Sequence, residues 1–211
     1  MKNNARVVVI GGGVVGVSTL YHLVKKGWTD CVLIERKELT SGSTWHAAGL
    51  LPLFNMSYSV GQIHKYSVDL YGRLEEETGQ YAGLSRVSNI RLATTQDRMD
   101  EYKQYAGVAQ TIGVQVDILT PDEVVDIWPL AVKDNLIGAI RHPMDGYIQP
   151  ADLTQALAKG ARDIGGQIYR NTNVTAITRT PSGEWKVTTD KGEIICEHVV
   201  SATGNFARRT G

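Results

Sequence analysis

Apolar and polar positions at the start of the chain follow the pattern of a β-α-β unit. Val7 to Ile10 is a continuous β-branched run that ends at glycines, as a strand buried on both faces of a parallel sheet does. From Val14 to Lys26 the apolar residues follow helical spacing, and Gly27 stands where a helix commonly ends in the left-handed conformation. Cys31 to Ile34 is a second apolar run, which ends at Glu35. The pattern predicts a strand, a tight turn, a helix and a parallel strand.

The middle of the chain does not continue this alternation of strands and helices. Apolar residues recur at helical spacing from about 59 to 78 and from about 97 to 112, and the segment 89–94 between them alternates like a strand. A capping-box pattern that begins at Thr120 predicts a further short helix. Residues 51–145 are therefore predicted to be an α+β insertion.

After a turn at Asp145 and Gly146 the chain returns to the alternation of helix and strand seen at its start. Residues 151–164 are predicted to form a helix that two glycines end, and the strand that follows at 167–170 is predicted to re-enter the parallel sheet. Three alternating segments then predict a small antiparallel meander, and an apolar run predicts a final strand. These four segments are 174–180, 184–190, 193–197 and 198–204.

The first turn carries a glycine pattern with a chemical meaning. Gly11, Gly13 and Gly16 form GxGxxG between a strand and a helix, and Glu35 follows at the tip of the next strand. In a dinucleotide-binding site these glycines allow the tight turn, the approach of a pyrophosphate and close helix packing, while the acid accepts hydrogen bonds from ribose hydroxyls. Arg36 is expected beside the adenine. The pattern does not separate FAD from NAD or a methyl donor, and a nucleotide-free α/β domain is the plain alternative.

Composition narrows the class of partner. Lys plus Arg and Asp plus Glu both number 22, so the net charge of zero gives no electrostatic argument for nucleic acid and favours a small molecule. Cys31 and Cys196 lie in apolar runs without the spacing of a metal site, and both are expected to be reduced and buried. Since neither a signal-like segment nor about 18 consecutive apolar residues occur, no membrane span is predicted and a cytoplasmic location is expected.

Five segments resemble the dimethylglycine and sarcosine dehydrogenase branch of the D-amino acid oxidase-like flavoproteins. The segments are LIERKELTSGSTWHAAGL at 33–50, RLATT at 91–95, DGYIQP at 145–150, NVTAI at 173–177 and VVSATG at 199–204. The resemblance implies an α/β fold in which residues 1–50 and 146–211 form a Rossmann-like FAD-binding domain. It implies that 51–145 are an incomplete part of a substrate or cap domain, and that the chain stops before the C-terminal part of the catalytic domain.

The resemblance also implies which residues hold FAD. His46 matches the histidine that is bonded in that branch to the 8α-methyl carbon of the flavin, which would tether the cofactor and make it a stronger oxidant. The alternative is that His46 only packs against the flavin or donates a hydrogen bond to it. The other implied contacts come from the glycine loop, the adenosine end, the His46 loop and two later turns, namely Gly11, Gly13, Val14, Val15, Gly16, Glu35, Arg36, Gly42, Ser43, Thr44, Trp45, Ala47, Ala48, Gly49, Leu50, Val174 and Gly204. By composition alone Val14, Val15 and Val174 are ordinary core valines, and Gly204 is a strand-to-helix turn.

The implied reaction is oxidation of an N-methylated amino acid by hydride transfer from the carbon next to nitrogen to flavin N5, giving an iminium. The electron acceptor is expected to be oxygen or an electron-transfer flavoprotein, and tetrahydrofolate takes part only if a further C-terminal domain exists. No catalytic base is identified; the polar or aromatic candidates in the insertion are Tyr58, His64, Arg91, His142 and Tyr147. Of these, His64 and Arg91 are more simply read as solvated faces. The alternative function is an FAD-binding module without turnover of its own, and the location would be the mitochondrial matrix for a eukaryotic chain with a transit peptide.

Overall fold

The structure, a computed structural model, describes residues 1–209 and divides into two compact units. The first unit contains Met1–Gly49, Arg73–Gly83 and the chain from Gln149 onward, and the second contains Leu50–Gly72 and Leu84–Ile148. The strands are β1 Asn4–Ile10, β2 Cys31–Ile34, β3 Leu50–Leu51, β4 Leu84–Arg86, β5 Asn89–Ala93, β6 Asp117–Leu119, β7 Gly138–His142, β8 Gly146–Ile148, β9 Gln167–Tyr169, β10 Val174–Arg179, β11 Trp185–Thr189 and β12 Gly192–Ser201. The helices are α1 Val14–Lys25, α2 Tyr58–Thr78, α3 Gln96–Ile112, α4 Pro121–Ile127 and α5 Pro150–Asp163, with 3-10 helices at Ser43–His46 and Gly204–Arg209.

The first unit is built on a six-stranded sheet with the order β10-β11-β12-β1-β2-β9. Strands β12, β1, β2 and β9 are parallel, and β10 and β11 add an antiparallel edge. The β-branched residues of β1 and β2 are buried, as a central position in the sheet requires. Gly27 has φ of 83°, so α1 is followed by the left-handed residue expected there. The predicted α/β fold with a parallel-dominated sheet is confirmed.

The last strand differs from its prediction. The sequence suggested a meander strand at 193–197 and a separate apolar strand at 198–204, whereas β12 runs without interruption from Gly192 to Ser201. Its first half pairs antiparallel with β11 and most of its length pairs parallel with β1. The separation was wrong because Glu197 and His198 are exposed positions within a continuing strand and no glycine or proline breaks it there.

The second unit contains two three-stranded sheets with the orders β3-β8-β4 and β5-β7-β6. The helix predictions agree with α2 and α3 to within a residue at each end, and the strand predicted at 89–94 is β5. Helix α4 begins with the predicted capping box, because Thr120 and Glu123 each bond to the other's backbone N–H. The remaining strands of this unit were not predicted; β7 has five residues, and the other four have two or three, too few for a periodic signal.

One segment of the predicted insertion belongs to the first unit. The C-terminal part of α2 is grouped there, with the residues that follow it to Gly83. Its Glu77 carboxylate accepts hydrogen bonds from the Tyr21 hydroxyl and the Lys25 ammonium of α1, both at 2.5 Å, and from Arg73 Nε at 2.8 Å. Specific polar contacts of this kind between distant helices are not visible in a hydrophobicity pattern, so the sequence could not place this boundary.

Glu77→Gln is expected to lower the free energy of unfolding at pH 7 by about 1 kcal/mol, because a neutral amide loses charge-assisted hydrogen bonds at a site that water reaches. The bond from Lys25, followed by that from Tyr21, lowers the pKa of Glu77 to about 2. The stabilisation is therefore present above the ordinary carboxyl pKa and is lost as pH falls toward 2. Denaturant titrations across this pH range check the result, with Glu76→Gln on the exposed side of the same helix as control. Equal losses in both variants would contradict it.

Candidate cofactor site

The glycine loop between β1 and α1 leaves no room for side chains. Gly11 has φ of 116°, and a Cβ at this position would collide with the Ala202 carbonyl group. A Cβ at Gly16 would collide with the Gly11 carbonyl oxygen, so this glycine lets α1 start directly against the loop. Gly13 is the N-cap of α1, where a Cβ would lie 2.9 Å from Thr44 Oγ1. Backbone N–H groups and the positive end of the helix dipole therefore face this point without a capping side chain from Gly13.

Glu35 is tied to the same loop. Its Oε2 accepts from Gly12 N at 2.6 Å and its Oε1 accepts from Lys37 N at 2.8 Å. A carboxylate has about four acceptor positions, so these two bonds leave capacity for ribose hydroxyls. The guanidinium of the neighbouring Arg36 lies over the ring of Phe206, 3.9 Å from its centre. Phe206 belongs to the 3-10 helix that begins at Gly204. The side chain of Glu35 thus orders the loop and can still bind a ligand.

The His46 loop reaches the start of α1 through one hydrogen bond. Thr44 Oγ1 accepts from Val14 N at 3.0 Å, which satisfies a free N–H group of the helix. Gly42 to His46 forms a short 3-10 turn in which His46 Nδ1 lies 3.0 Å from the Gly42 carbonyl oxygen. Because a carbonyl oxygen only accepts, Nδ1 carries the proton of the neutral ring in this contact. The lone pair is then on Nε2.

The loop is apolar and yet open to solvent. Trp45 is 60% exposed, its ring lies 4.6 Å from that of His46, and Ala47 and Ala48 are also exposed. Val15, at the start of α1, is 66% exposed, so the alternative that it is a core valine is wrong. Exposed apolar residues grouped at a glycine loop mark a surface that a ligand covers. The residues present therefore fit a large flat cofactor whose phosphates meet α1.

Of the two later segments that were predicted to contact the cofactor, the one before Gly204 contacts the glycine loop. Ala202 N donates to Ile10 O at 2.8 Å, which places the turn before Gly204 against Gly11. Gly204 has φ of 58° and begins the last 3-10 helix, as a strand-to-helix turn does. Val174, at the start of β10, is half-buried and packs against the hydrophobic cluster that β1, β2, β11 and β12 form. A packing role for Val174 is thus established by contacts, whereas its contact with adenine remains a prediction.

The candidates in the second unit are not equivalent. Tyr58 and Tyr147 are exposed, whereas His64 is half-buried on α2 and is not on a solvated face as expected. Arg91 is not on a solvated face as expected: it is half-buried, its guanidinium lies 4.6 Å from the centre of the Phe54 ring, and its Nε is buried without a partner in residues 1–209. His142 is fully buried, and its Nε2 lies 3.3 Å from the Tyr105 hydroxyl. Arg91 lies on β5, an edge strand of its sheet. The alternating pattern of this strand predicted a solvent-facing side chain, whereas the side chain of Arg91 is half-buried.

Sequence reasoning missed two members of this buried group. Tyr105 of α3 and Asp145, before β8, are 0% and 1% exposed, and both bond to the backbone of Leu53. Burial raises the pKa of Asp145 to about 6, against opposing effects of the Leu53 N–H and Arg91. Burial and the Arg91 charge lower the pKa of His142 to about 4, so this imidazole is neutral at pH 7. No pattern separated Asp145 from an ordinary turn residue.

Asp145→Asn is expected to remove a pH dependence of stability. The folded pKa of Asp145 is above its ordinary value, so the protonated form favours folding and this contribution is lost as pH rises through about 6. Relative to the variant, the free energy of unfolding of the wild type should therefore fall by about 2 kcal/mol between pH 4 and pH 7. Denaturant titrations of both proteins measure it. Parallel pH profiles would contradict the expectation.

Comparison with known proteins identifies the family. A family model described as FAD dependent oxidoreductase matches residues 6–211. The chain belongs to this FAD-dependent oxidoreductase family. Mitochondrial dimethylglycine dehydrogenase of Rattus norvegicus is 43% identical over 210 residues, which are 100% of this chain and 24% of that protein. The resemblance inferred from the sequence motifs is therefore confirmed, and the chain spans about a quarter of the length of this relative and of the mouse and human dimethylglycine dehydrogenases that it also matches.

Two further relatives bear on fold and function. The mitochondrial regulatory subunit of pyruvate dehydrogenase phosphatase of Mus musculus is 38% identical and covers 98% of this chain and 24% of its own length. The crystal structure of L-proline dehydrogenase from P. horikoshii superposes with a TM-score of 0.89 at 28% identity, and the match covers 100% of this chain and 55% of that one. No helix within residues 1–209 is long and apolar enough to cross a membrane.

Proposed function

We propose that this chain binds FAD covalently through His46 and forms the cofactor-binding part of an enzyme that oxidises an N-methylated amino acid of the dimethylglycine or sarcosine type. One observation carries the proposal: an exposed apolar loop that contains His46 is hydrogen-bonded by Thr44 to the open N-terminus of α1. The family match supports FAD as the ligand, and the name of the rat relative supports the class of substrate.

The pyrophosphate end of the proposed site consists of backbone. Gly13 and Val15 would present N–H groups at the start of α1, where the helix dipole favours an anion. Val14 N donates to Thr44 Oγ1 and would exchange this bond for one to a phosphate oxygen when the cofactor binds. Gly11 and Gly16 keep this region free of side chains, because a Cβ at either would meet backbone atoms. The absence of Cβ atoms lets the phosphates approach the backbone. Glu35 and Arg36 would hold the adenosine end, with the backbone of Val174 at the adenine and that of Gly204 near the phosphates.

The flavin end of the proposed site is the His46 loop. Residues 42–50 would line the ring, with Trp45 as a wall and small residues beneath it. His46 would form the bond through Nε2, since Nδ1 donates to Gly42 O and fixes the ring orientation. Formation of the bond between Nε2 and the 8α-methyl carbon would remove two electrons and two protons, one from the methyl group and one from the imidazole, and dissolved oxygen would be the final acceptor.

Bound FAD would supply the hydride acceptor, while this chain would supply orientation and exclusion of water. A base or a pocket that lowers the amine pKa is needed, since the amine must be unprotonated at transfer. We assign neither role to a residue of this chain. Oxygen or an electron-transfer flavoprotein as acceptor, and use of tetrahydrofolate, belong to the same proposal for the longer protein.

The second candidate function is FAD binding without turnover. It is favoured by the similarity to a regulatory subunit, which is 38% identical over almost the whole chain. The two functions differ in one measurement, the anaerobic reduction of bound FAD. Bleaching of the 450 nm flavin band by dimethylglycine or sarcosine supports the enzyme. FAD that binds but is not bleached by either amine, in the chain extended to the length of the relatives, supports the module.

A further inference from the structure

Arg36 lies over an aromatic ring at the edge of the parallel sheet that carries the glycine loop. Its guanidinium carbon Cζ is 3.9 Å from the centre of the Phe206 ring. Arg36 follows β2 and Phe206 follows β12, and these two strands flank β1 in the sheet. Because β1 ends at the glycine loop, both residues come from the edge where a dinucleotide is expected to bind.

The acids that neighbour Arg36 in sequence are bonded to other groups. Both oxygens of Glu35 accept from backbone N–H groups, and the carboxylate of Glu38 accepts from Arg170 at 2.5 Å and from Asn171 at 2.9 Å. The guanidinium of Arg36 instead lies against the aromatic ring. Since Arg36 is exposed and the ring covers one face of its guanidinium, the opposite face is open to solvent.

A guanidinium plane with one open face suits a purine ring. The group is flat and weakly hydrated, and it stacks on aromatic rings and on the bases of nucleotides. A ring behind the guanidinium limits the rotamers of the arginine, so less side-chain entropy is lost when a base stacks on it. Glu35, the adjacent residue, keeps acceptor capacity for ribose hydroxyls. A nucleoside bound to Glu35 through its ribose would therefore bring its base within reach of Arg36.

We propose that Arg36 and Phe206 form a platform for the adenine of FAD, in which Phe206 is a positioning residue that holds the guanidinium plane against the base. The inference rests on the proposed function, because it requires the adenosine end of FAD at Glu35. The platform also determines specificity. A guanidinium held over a ring is kept away from a 2′-phosphate, a group that a free arginine at this place would bind. The site therefore favours adenosine with a free 2′-hydroxyl.

Binding of ADP to the full chain, measured by isothermal titration calorimetry, tests the platform without the flavin. Arg36→Met and Phe206→Leu are each expected to weaken ADP binding about fivefold, because each removes one layer of the stack. Phe206→Trp should keep the wild-type affinity, since an indole ring can replace the phenyl ring. Arg179→Met is the matched control, because it removes an equal charge from the same unit and Arg179 lies 3.9 Å from the centre of the Trp185 ring. It should leave ADP binding unchanged.

The preference against a 2′-phosphate tests whether Phe206 positions the arginine or only supports the fold. AMP and adenosine 2′,5′-bisphosphate differ only in the 2′-phosphate, and the wild type is expected to bind AMP more tightly. Phe206→Leu should reduce this preference several-fold, because the released guanidinium of Arg36 can turn to the 2′-phosphate. Phe206→Trp should keep it. An unchanged preference in Phe206→Leu would overturn the positioning role.

Failure of the platform can be distinguished from failure of the proposed function. Wild-type protein that binds neither FAD nor ADP overturns the proposed function and, with it, this inference. If the wild type binds FAD, and both Arg36→Met and Phe206→Leu bind FAD and ADP with the affinities of the wild type, the platform alone is overturned. Attachment of the flavin at His46 is measured separately and does not enter this comparison.

Discussion

His46→Ala is expected to abolish covalent attachment of the flavin. Wild-type protein that has been incubated with FAD and precipitated with acid should stay yellow, and its digest should contain a fluorescent flavopeptide that includes His46. The variant should release all of its flavin to the supernatant, because alanine has no nitrogen to form the bond. Non-covalent binding should persist, since the glycine loop and Glu35 hold the other end of the cofactor. Absorbance of the pellet and mass spectrometry of the digest measure both effects.

His198→Ala is the matched control for this experiment. His198 is an exposed histidine of β12 in the same unit, and its nearest carboxylate is Glu197 at 3.9 Å. Its loss should leave attachment unchanged. A pellet that is colourless for the wild type as well, with FAD bound before precipitation, would reduce the role of His46 to packing or hydrogen bonding. Attachment that survives His46→Ala would place the bond elsewhere.

Strands β1 and β2 of the parallel sheet could be predicted because residues on both of their faces are buried. Val7–Ile10 of β1 and all four residues of β2 are apolar, and such continuous apolar runs favour strands inside a parallel sheet. The short strands of the second unit could not be predicted in the same way. Strand β8 has only three residues, of which one is exposed and one is buried, and Asp145 and Gly146 at its start predict a turn. Pairing partners, which are distant in sequence, decide such strands.

Prediction of the site was uneven for a related reason. Local motifs showed the glycine loop and the His46 loop, because the chemistry there depends on residues that are close in sequence. The hydrogen bond that joins them, from Val14 N to Thr44, crosses 30 positions and has no signature in the chain. The bonds of Tyr105 and Asp145 to the backbone of Leu53 were missed altogether, since Tyr105 lies 52 residues and Asp145 lies 92 residues from Leu53. Long-range polar contacts therefore account for most of what the structure added.

Gly16→Ala is expected to abolish FAD binding and to destabilise the first unit. The added Cβ would collide with the Gly11 carbonyl oxygen and would lie 3.3 Å from Ala202 Cβ. Because the obstructing carbonyl group is backbone, α1 would have to move away from β1 and would carry the proposed phosphate-binding N–H groups with it. Overpacking in a core costs about 1–3 kcal/mol even when side chains can adjust. We expect a loss of at least 3 kcal/mol in the free energy of unfolding, measured by denaturant titration, and no quenching of FAD fluorescence.

Gly107→Ala provides a control of opposite sign. Gly107 is an exposed residue in the middle of α3, and a Cβ there would meet no atom within 4 Å. Alanine in such a position stabilises a helix by about 1 kcal/mol, so this variant should unfold at higher denaturant and bind FAD as the wild type does. If Gly16→Ala bound FAD normally, the close contact of α1 with the glycine loop would not be needed for the cofactor. Comparison of the two variants therefore distinguishes the steric effect of a Cβ at the glycine loop from the general effect of replacing a helical glycine by alanine.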